Sequence, residues 1–159
     1  MPNHRIFNER PECQERLIKF LENLGYTYVS RSEAENKRGR LSNVIFEDEL
    51  IRFLNKQTYK YNGYEFNFSG ESISKAVKAI DSSLLQGLSL ASKEVYNLLT
   101  LGISLEEDIT IDKDMPVRQS FDLNYIDFEH PAENIWQVTE EFSVERTNGQ
   151  YCRPDVVLM

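Results

Sequence analysis

The sequence predicts an α/β chain, helical through its first hundred residues and strand-rich after them. Three observations carry that reading. Before residue 102, four segments repeat apolar residues at spacings of three and four, which keeps one side of a helix dry. After it, the apolar positions tend to alternate, which places them on one face of a strand. With 40% hydrophobic and 28% charged residues over 159 positions, the chain has the balance of one folded domain rather than of a disordered segment.

Residues 11–24 read as an amphipathic helix. Pro11 suits a first helical turn, where its missing N–H costs nothing. Cys13, Leu17, Phe20, Leu21 and Leu24 make the expected apolar stripe, and Gly25 ends the helix. Tyr26 to Val29 then read as a short strand. Residues 31–42 are charged and read as a loop or an exposed helical turn. Phe46 to Leu54 form a second helix, whose early acids complement the helix dipole. Gly63 lies in a tyrosine-rich connection. A third helix spans 71–81 with Ile73, Ala76, Val77 and Ile80 inward. A fourth spans 92–101, entered at Ser92 and stopped at Gly102.

Strands follow over 103–111 and 117–128. Trp136, Val138, Phe142 and Val144 share one parity, as in a strand with one buried face. Asn148-Gly149 marks a tight turn between two strand-like runs. The last strand begins near Asp155. Its Val156-Val157-Leu158-Met159 is apolar on both faces, so it is expected deep in a sheet. A chain that stops inside such a strand is expected to be truncated at its C-terminal end.

Charge and motifs exclude several functions. A formal net charge of −8 argues against autonomous DNA binding, because phosphate contacts need a basic face. It does not exclude a DNA enzyme held on its substrate by other domains. Cys13 and Cys152 form no CxxC and are expected as reduced thiols in a cytoplasmic protein. There is no signal peptide pattern and no apolar run of the ~20 residues a membrane helix needs. GxxxxGK[ST], GxGxxG and GxSxG are all missing, so no ATP site is expected in this segment. His4 and His130 lack nucleophile or metal-ligand partners in sequence and read as terminal and turn residues.

Among 26 acidic residues, most read as solvated surface, including Glu106-Glu107-Asp108, Asp112 and Asp114. Asp155 is different. It follows Pro154 at a strand entrance and precedes a buried run, where a carboxylate can offer oxygen to a hard cation. Asp is also common in turns. Glu12 and Glu15 sit in the first turns of helix one; each by itself reads as a complement to the helix dipole.

Several blocks, in order, resemble one family. ERLIKFLENLGYTYV, RGRLSNVIFEDELIRFLNKQ, SISKAVKAID and YNLLTLGISLE are followed by LNYIDFEHPAENIWQVTEEFSVE and RPDVVL. Together they resemble the N-terminal nuclease domain of type I restriction endonuclease R subunits across essentially the whole chain. The resemblance implies a PD-(D/E)xK restriction-endonuclease-like core, a mixed sheet flanked by helices, with residues 1–159 as its N-terminal part. Pro154-Asp155 matches the first half of that motif, making Asp155 the implied catalytic and metal-binding acid. Glu12 is the implied helical acid, with Glu15 as its rival. The Glu-x-Lys half belongs on the next strand, and no Glu-x-Lys follows Asp155 here. The resemblance further implies Mg²⁺-dependent hydrolysis of a DNA phosphodiester, the ion polarising the phosphate and lowering the pKa of a bound water. It implies ATP only in translocase domains outside this chain. Its implied partners are double-stranded DNA through the full subunit, and the specificity and methylation subunits of the complex. Two alternatives stand beside it: a non-catalytic docking module of a restriction complex, and a stand-alone defence nuclease of the same fold.

Overall fold

A computed structural model describes residues 9–40, 42–83, 88–110, 116–145 and 149–159, with the backbone alone over 9–12, 82–83 and 88–91. The chain divides into two compact units. One joins Met1–Val44 to Ile135–Met159; the other is the continuous stretch Ile45–Asn134.

The first unit centres on a strand from its second segment, Ile135–Met159. Helix α1 (Glu9–Asn23) closes at Gly25 with a paired C-terminal cap. The Gly25 N–H donates to Glu22 O at 3.0 Å, and the Tyr26 N–H to Leu21 O at 3.1 Å. Strand β1 (Thr27–Tyr28) follows. Helix α2 (Arg31–Arg38) occupies the segment expected as a loop or exposed turn. Ser30 caps it: the Ser30 Oγ accepts from the Glu33 N–H at 3.4 Å, and Lys37 and Arg38 sit in its last turn. It is not an exposed turn either, since Ala34 and Arg38 are buried. The Arg38 guanidinium lies 4.2 Å from the centre of the Phe142 ring, and burial holds its pKa below the usual arginine value.

Three strands make the mixed sheet of this unit, in the order β1-β6-β9, with β6 (Gln137–Glu140) between β1 and β9 (Val156–Leu158). β1 runs parallel to β6 and β9 antiparallel to it. Gln137, Val138 and Thr139 are all buried, so β6 has two covered faces rather than the single one its alternation predicts. β9 was expected deep in the sheet. Among the described residues it is instead an edge strand, partly buried, with Leu158 exposed. An apolar run on both faces fits an edge as well as a centre, because sheet position depends on which strands pair.

Helix α1 is turned relative to its expected stripe. Ile18 and Leu21 pack on Val138 with Tyr26 and Val156 beside them, while Leu17, Phe20 and Leu24 face outward. A short pairing of β7 (Val144–Glu145) with β8 (Tyr151–Cys152) leads into β9. The turn expected at Asn148-Gly149 falls between these strands, with Asn148 outside the described residues.

The second unit carries helices α3 (Glu47–Leu54), α4 (Gly70–Ser83) and α5 (Leu88–Leu101). Between α3 and α4 the tyrosine-rich connection is a hairpin, β2 (Thr58–Tyr61) and β3 (Tyr64–Asn67). Asn62 and Gly63 form its turn with φ of 51° and 82°, the left-handed pair that a tight hairpin requires. α4 buries Ile73, Ala76, Val77 and Ile80 as expected. α5 begins four residues before the expected Ser92 and ends before Gly102 as expected. β4 (Ile103–Ile109) and β5 (Val117–Leu123) pair antiparallel from Ile103↔Leu123 to Ile109↔Val117. β4 buries Leu105, Glu107 and Ile109 on one face.

Two polar fixings hold this unit. Glu107 accepts from the Ser69 N–H at 3.0 Å and the Ser69 Oγ at 3.1 Å, anchoring the start of α4 to β4. Tyr125 donates to Ala76 O at 2.6 Å, and burial pushes its phenol up to about 12. Residues 127–134 close on themselves. Asp127 Oδ1 accepts from the N–H groups of Glu129 and His130 at 3.0 and 2.8 Å, and Asn134 Oδ1 accepts from the Asp127 N–H at 2.8 Å.

Candidate functional site

Asp155 stands one residue before β9, where the sequence places it. Pro154 precedes it and restricts the approach to the strand. The register of β6 with β9 pairs Glu140 with Val156. One step further, the Glu141 N–H donates to the Asp155 carbonyl at 3.1 Å. Asp155 is therefore fixed through its backbone to the end of β6, while its side chain is exposed.

The end of β6 gathers charge around that position. Glu140 Oε1 accepts from the Tyr28 hydroxyl at 2.8 Å. Desolvation, with the Glu140 carboxylate adding to it, pushes the Tyr28 phenol up to about 12. Glu141 has a φ of 49°, an uncommon conformation for a residue with a Cβ. Its Oε2 accepts from Arg31 Nη1 at 3.2 Å and lies 3.6 Å from Arg153 Nη1. Arg31 also donates through Nε to Glu35 at 2.9 Å. Its pKa is raised by that bond to Glu35, with the Glu35 charge and then the nearby Glu141 adding smaller contributions.

Glu12 lies in α1, and its side chain is outside the described residues. Glu15 is on the exposed side of α1 and has no hydrogen bond or ion pair among the described residues. His4 is outside them. His130 is exposed, with Nδ1 3.3 Å from Asp127 Oδ2. Cys13 and Cys152 are free and exposed. Among the described residues no group of three or more His, Cys, Asp or Glu is placed to hold a metal ion. No described helix is long and apolar enough to cross a membrane.

The sequence singles out Asp155 but not Glu141, Arg31 or Arg153, which the fold brings to the end of β6. Arg153 stands two residues before Asp155, so its nearness to that acid is legible in the sequence. Arg31 and Glu141 lie 110 positions apart in sequence, and only folding reveals that they meet.

The chain is a mixed α/β protein with an acid, Asp155, one residue before a strand. More particularly, residues 6–159 match the family of the type I restriction enzyme R protein N terminus, and the chain belongs to that family. Comparison with curated proteins and with solved structures gave no match.

Proposed function

We propose that this chain is the leading part of a DNA-cleaving nuclease domain, with Asp155 as one of its catalytic acids and an oxygen ligand for Mg²⁺. The observation that carries the reading is the position of Asp155, at the mouth of β9 and bonded through its carbonyl to the end of β6, in a chain of this family. The same family membership supports a PD-(D/E)xK core, DNA as substrate, and assembly with specificity and methylation subunits. ATP belongs to translocase domains outside these residues.

The donors described here do not by themselves fit a Mg²⁺ centre. That ion favours six oxygen ligands in near-octahedral geometry. Asp155 offers one carboxylate. Glu141 is engaged by Arg31 and Arg153, and Glu140 by Tyr28. Glu12 remains a candidate for a further acid, with Glu15 as its rival. What the chain does supply is an acid whose backbone is held at a sheet edge while its carboxylate stays exposed.

The test compares two proteins with supercoiled plasmid and Mg²⁺. The 159-residue chain is expected to leave the plasmid intact. A longer subunit carrying a downstream Glu-x-Lys strand is expected to cut it, and Asp155→Asn is expected to abolish that cutting. Undiminished cleavage by the Asp155→Asn subunit would overturn the assignment of Asp155, and no cleavage by the longer subunit itself would favour the docking alternative.

A further inference from the structure

Arg31 and Arg153 come from distant parts of the chain and meet on one carboxylate oxygen. Arg31 opens α2, and Arg153 lies in the segment leading to β9. Both are about half exposed, at 42% and 50% of their side-chain surface. Each guanidinium carries five N–H donors in a planar fork. Arg31 uses Nε and Nη1, leaving Nη2 without a protein partner among the described residues. Arg153 makes a 3.6 Å ion pair but no hydrogen bond among them. Both forks therefore keep open donors toward solvent.

Glu141 holds them there at a conformational cost. A side chain at positive φ is unfavourable, and such positions persist where the surroundings over-determine them. Here one residue ties together the first turn of α2, the approach to β9 and the carbonyl of Asp155. Two tethered forks with free edges match the bidentate geometry that guanidinium groups present to phosphate.

We propose that Arg31 and Arg153, held by Glu141, form a docking site for a backbone phosphate of duplex DNA beside Asp155. Arg31 and Arg153 are the phosphate-contacting residues, and Glu141 is the positioning residue. The choice of DNA rests on the nuclease reading, but the site needs no metal.

The experiment measures binding of a short labelled duplex to the longer subunit of the cleavage test, in EDTA and without ATP, over a range of KCl concentrations. Arg31→Gln and Arg153→Gln are each expected to weaken binding several-fold at low salt. Each is also expected to lower the slope of log K against log salt by about one. Arg118→Gln makes the same charge change beside Glu106 and Asp108 in the other unit, and is expected to leave binding as it was. Arg31→Lys and Arg153→Lys keep charge without the fork and are expected to fall in between. Glu141→Gln separates tethering from simple charge: loss of an acid alone would tighten binding, whereas loss of the tether weakens it. Thermal unfolding of each variant checks that it folds.

The proposal is overturned if the glutamine variants behave like Arg118→Gln, if Glu141→Gln binds tighter, or if no binding is seen at low salt. Failure of the nuclease reading is a separate result, because it shows in cleavage by the longer Asp155→Asn subunit and leaves these binding differences in place.

Discussion

At the residue scale, positions with one structural duty give the sharpest predictions. Gly102 has a φ of 72°, and a Cβ there would sit 2.5 Å from the Leu123 carbonyl oxygen and 2.6 Å from Asn124 Oδ1. Gly102→Ala is expected to cost about 1–2 kcal/mol for the left-handed backbone and about 1–3 kcal/mol more for the overlap. A fall in the urea midpoint checks this, and a neutral result would mean that the α5–β4 corner opens easily. Glu107 is 5% exposed and takes both donors of Ser69. Glu107→Ala leaves those donors without their acceptor and is expected to destabilise the fold by about 1–3 kcal/mol. Glu107→Gln keeps an acceptor oxygen and is expected to lose less, which separates the hydrogen bonds from packing in a denaturation series.

At the element scale, pH acts on single connections. Asp127 is held below the ordinary carboxylate value of 3.8, first by the His130 backbone N–H, then by the His130 side chain and the Glu129 N–H. A lowered folded pKa gives stability that is present above 3.8 and lost as pH falls through the folded value. The turn over 127–134 is therefore expected to loosen in acid below that point. Hydrogen exchange at the amides of Glu129 and His130 reads it, with Asp127→Asn removing the pH dependence. Tyr125 gives the opposite sign. Its folded pKa is raised to about 12 from 10, so its stabilising effect is whole below pH 10 and declines as pH rises toward 12. Phenolate absorbance of the folded chain should show Tyr28 and Tyr125 titrating near that upper value, and Tyr125→Phe should remove one of the two. The same hydroxyl ties β5's following segment to α4 through Ala76, so the loss is also expected to lower stability.

At the scale of the whole molecule, each unit has its own apolar core. In the unit of Ile45–Asn134 it runs from Leu54 through Ile73 and Ile80 to Leu123. In the other it joins Ile18 and Leu21 of α1 to Val138 of β6. A chain ending at residue 134 is expected to keep amide protection in α4 and β4 while losing it in α1, because Val138 would be gone. Equal protection in α1 with and without residues 135–159 would contradict this dependence. Net charge belongs to the same scale. At −8 the chain as a whole repels DNA, so any phosphate contact beside Asp155 acts locally and weakens steeply with salt.

What the sequence by itself determined is the local order. The α4 face of Ile73, Ala76, Val77 and Ile80 follows from spacing, because burial on one side of a helix depends on nearest neighbours along the chain. Gly25 and Gly102 mark helix ends for the same local reason. Two further local signals were present and unused: Ser30-Arg31-Ser32-Glu33, which starts α2, and Asn62-Gly63, which turns the hairpin. Asp155 at a strand entrance was legible too. Only the tertiary structure decided what lies across the chain from it. Pairing of β1 with β6 and of β6 with β9 joins residues more than a hundred positions apart or brings the last strand back beside an earlier one. That pairing turned α1 onto Val138, placed β9 at an edge, and set Glu141 between Arg31 and Arg153. Periodicity records which residues avoid water, but which strands share a ladder is settled by the hydrogen bonds and packing of the assembled fold.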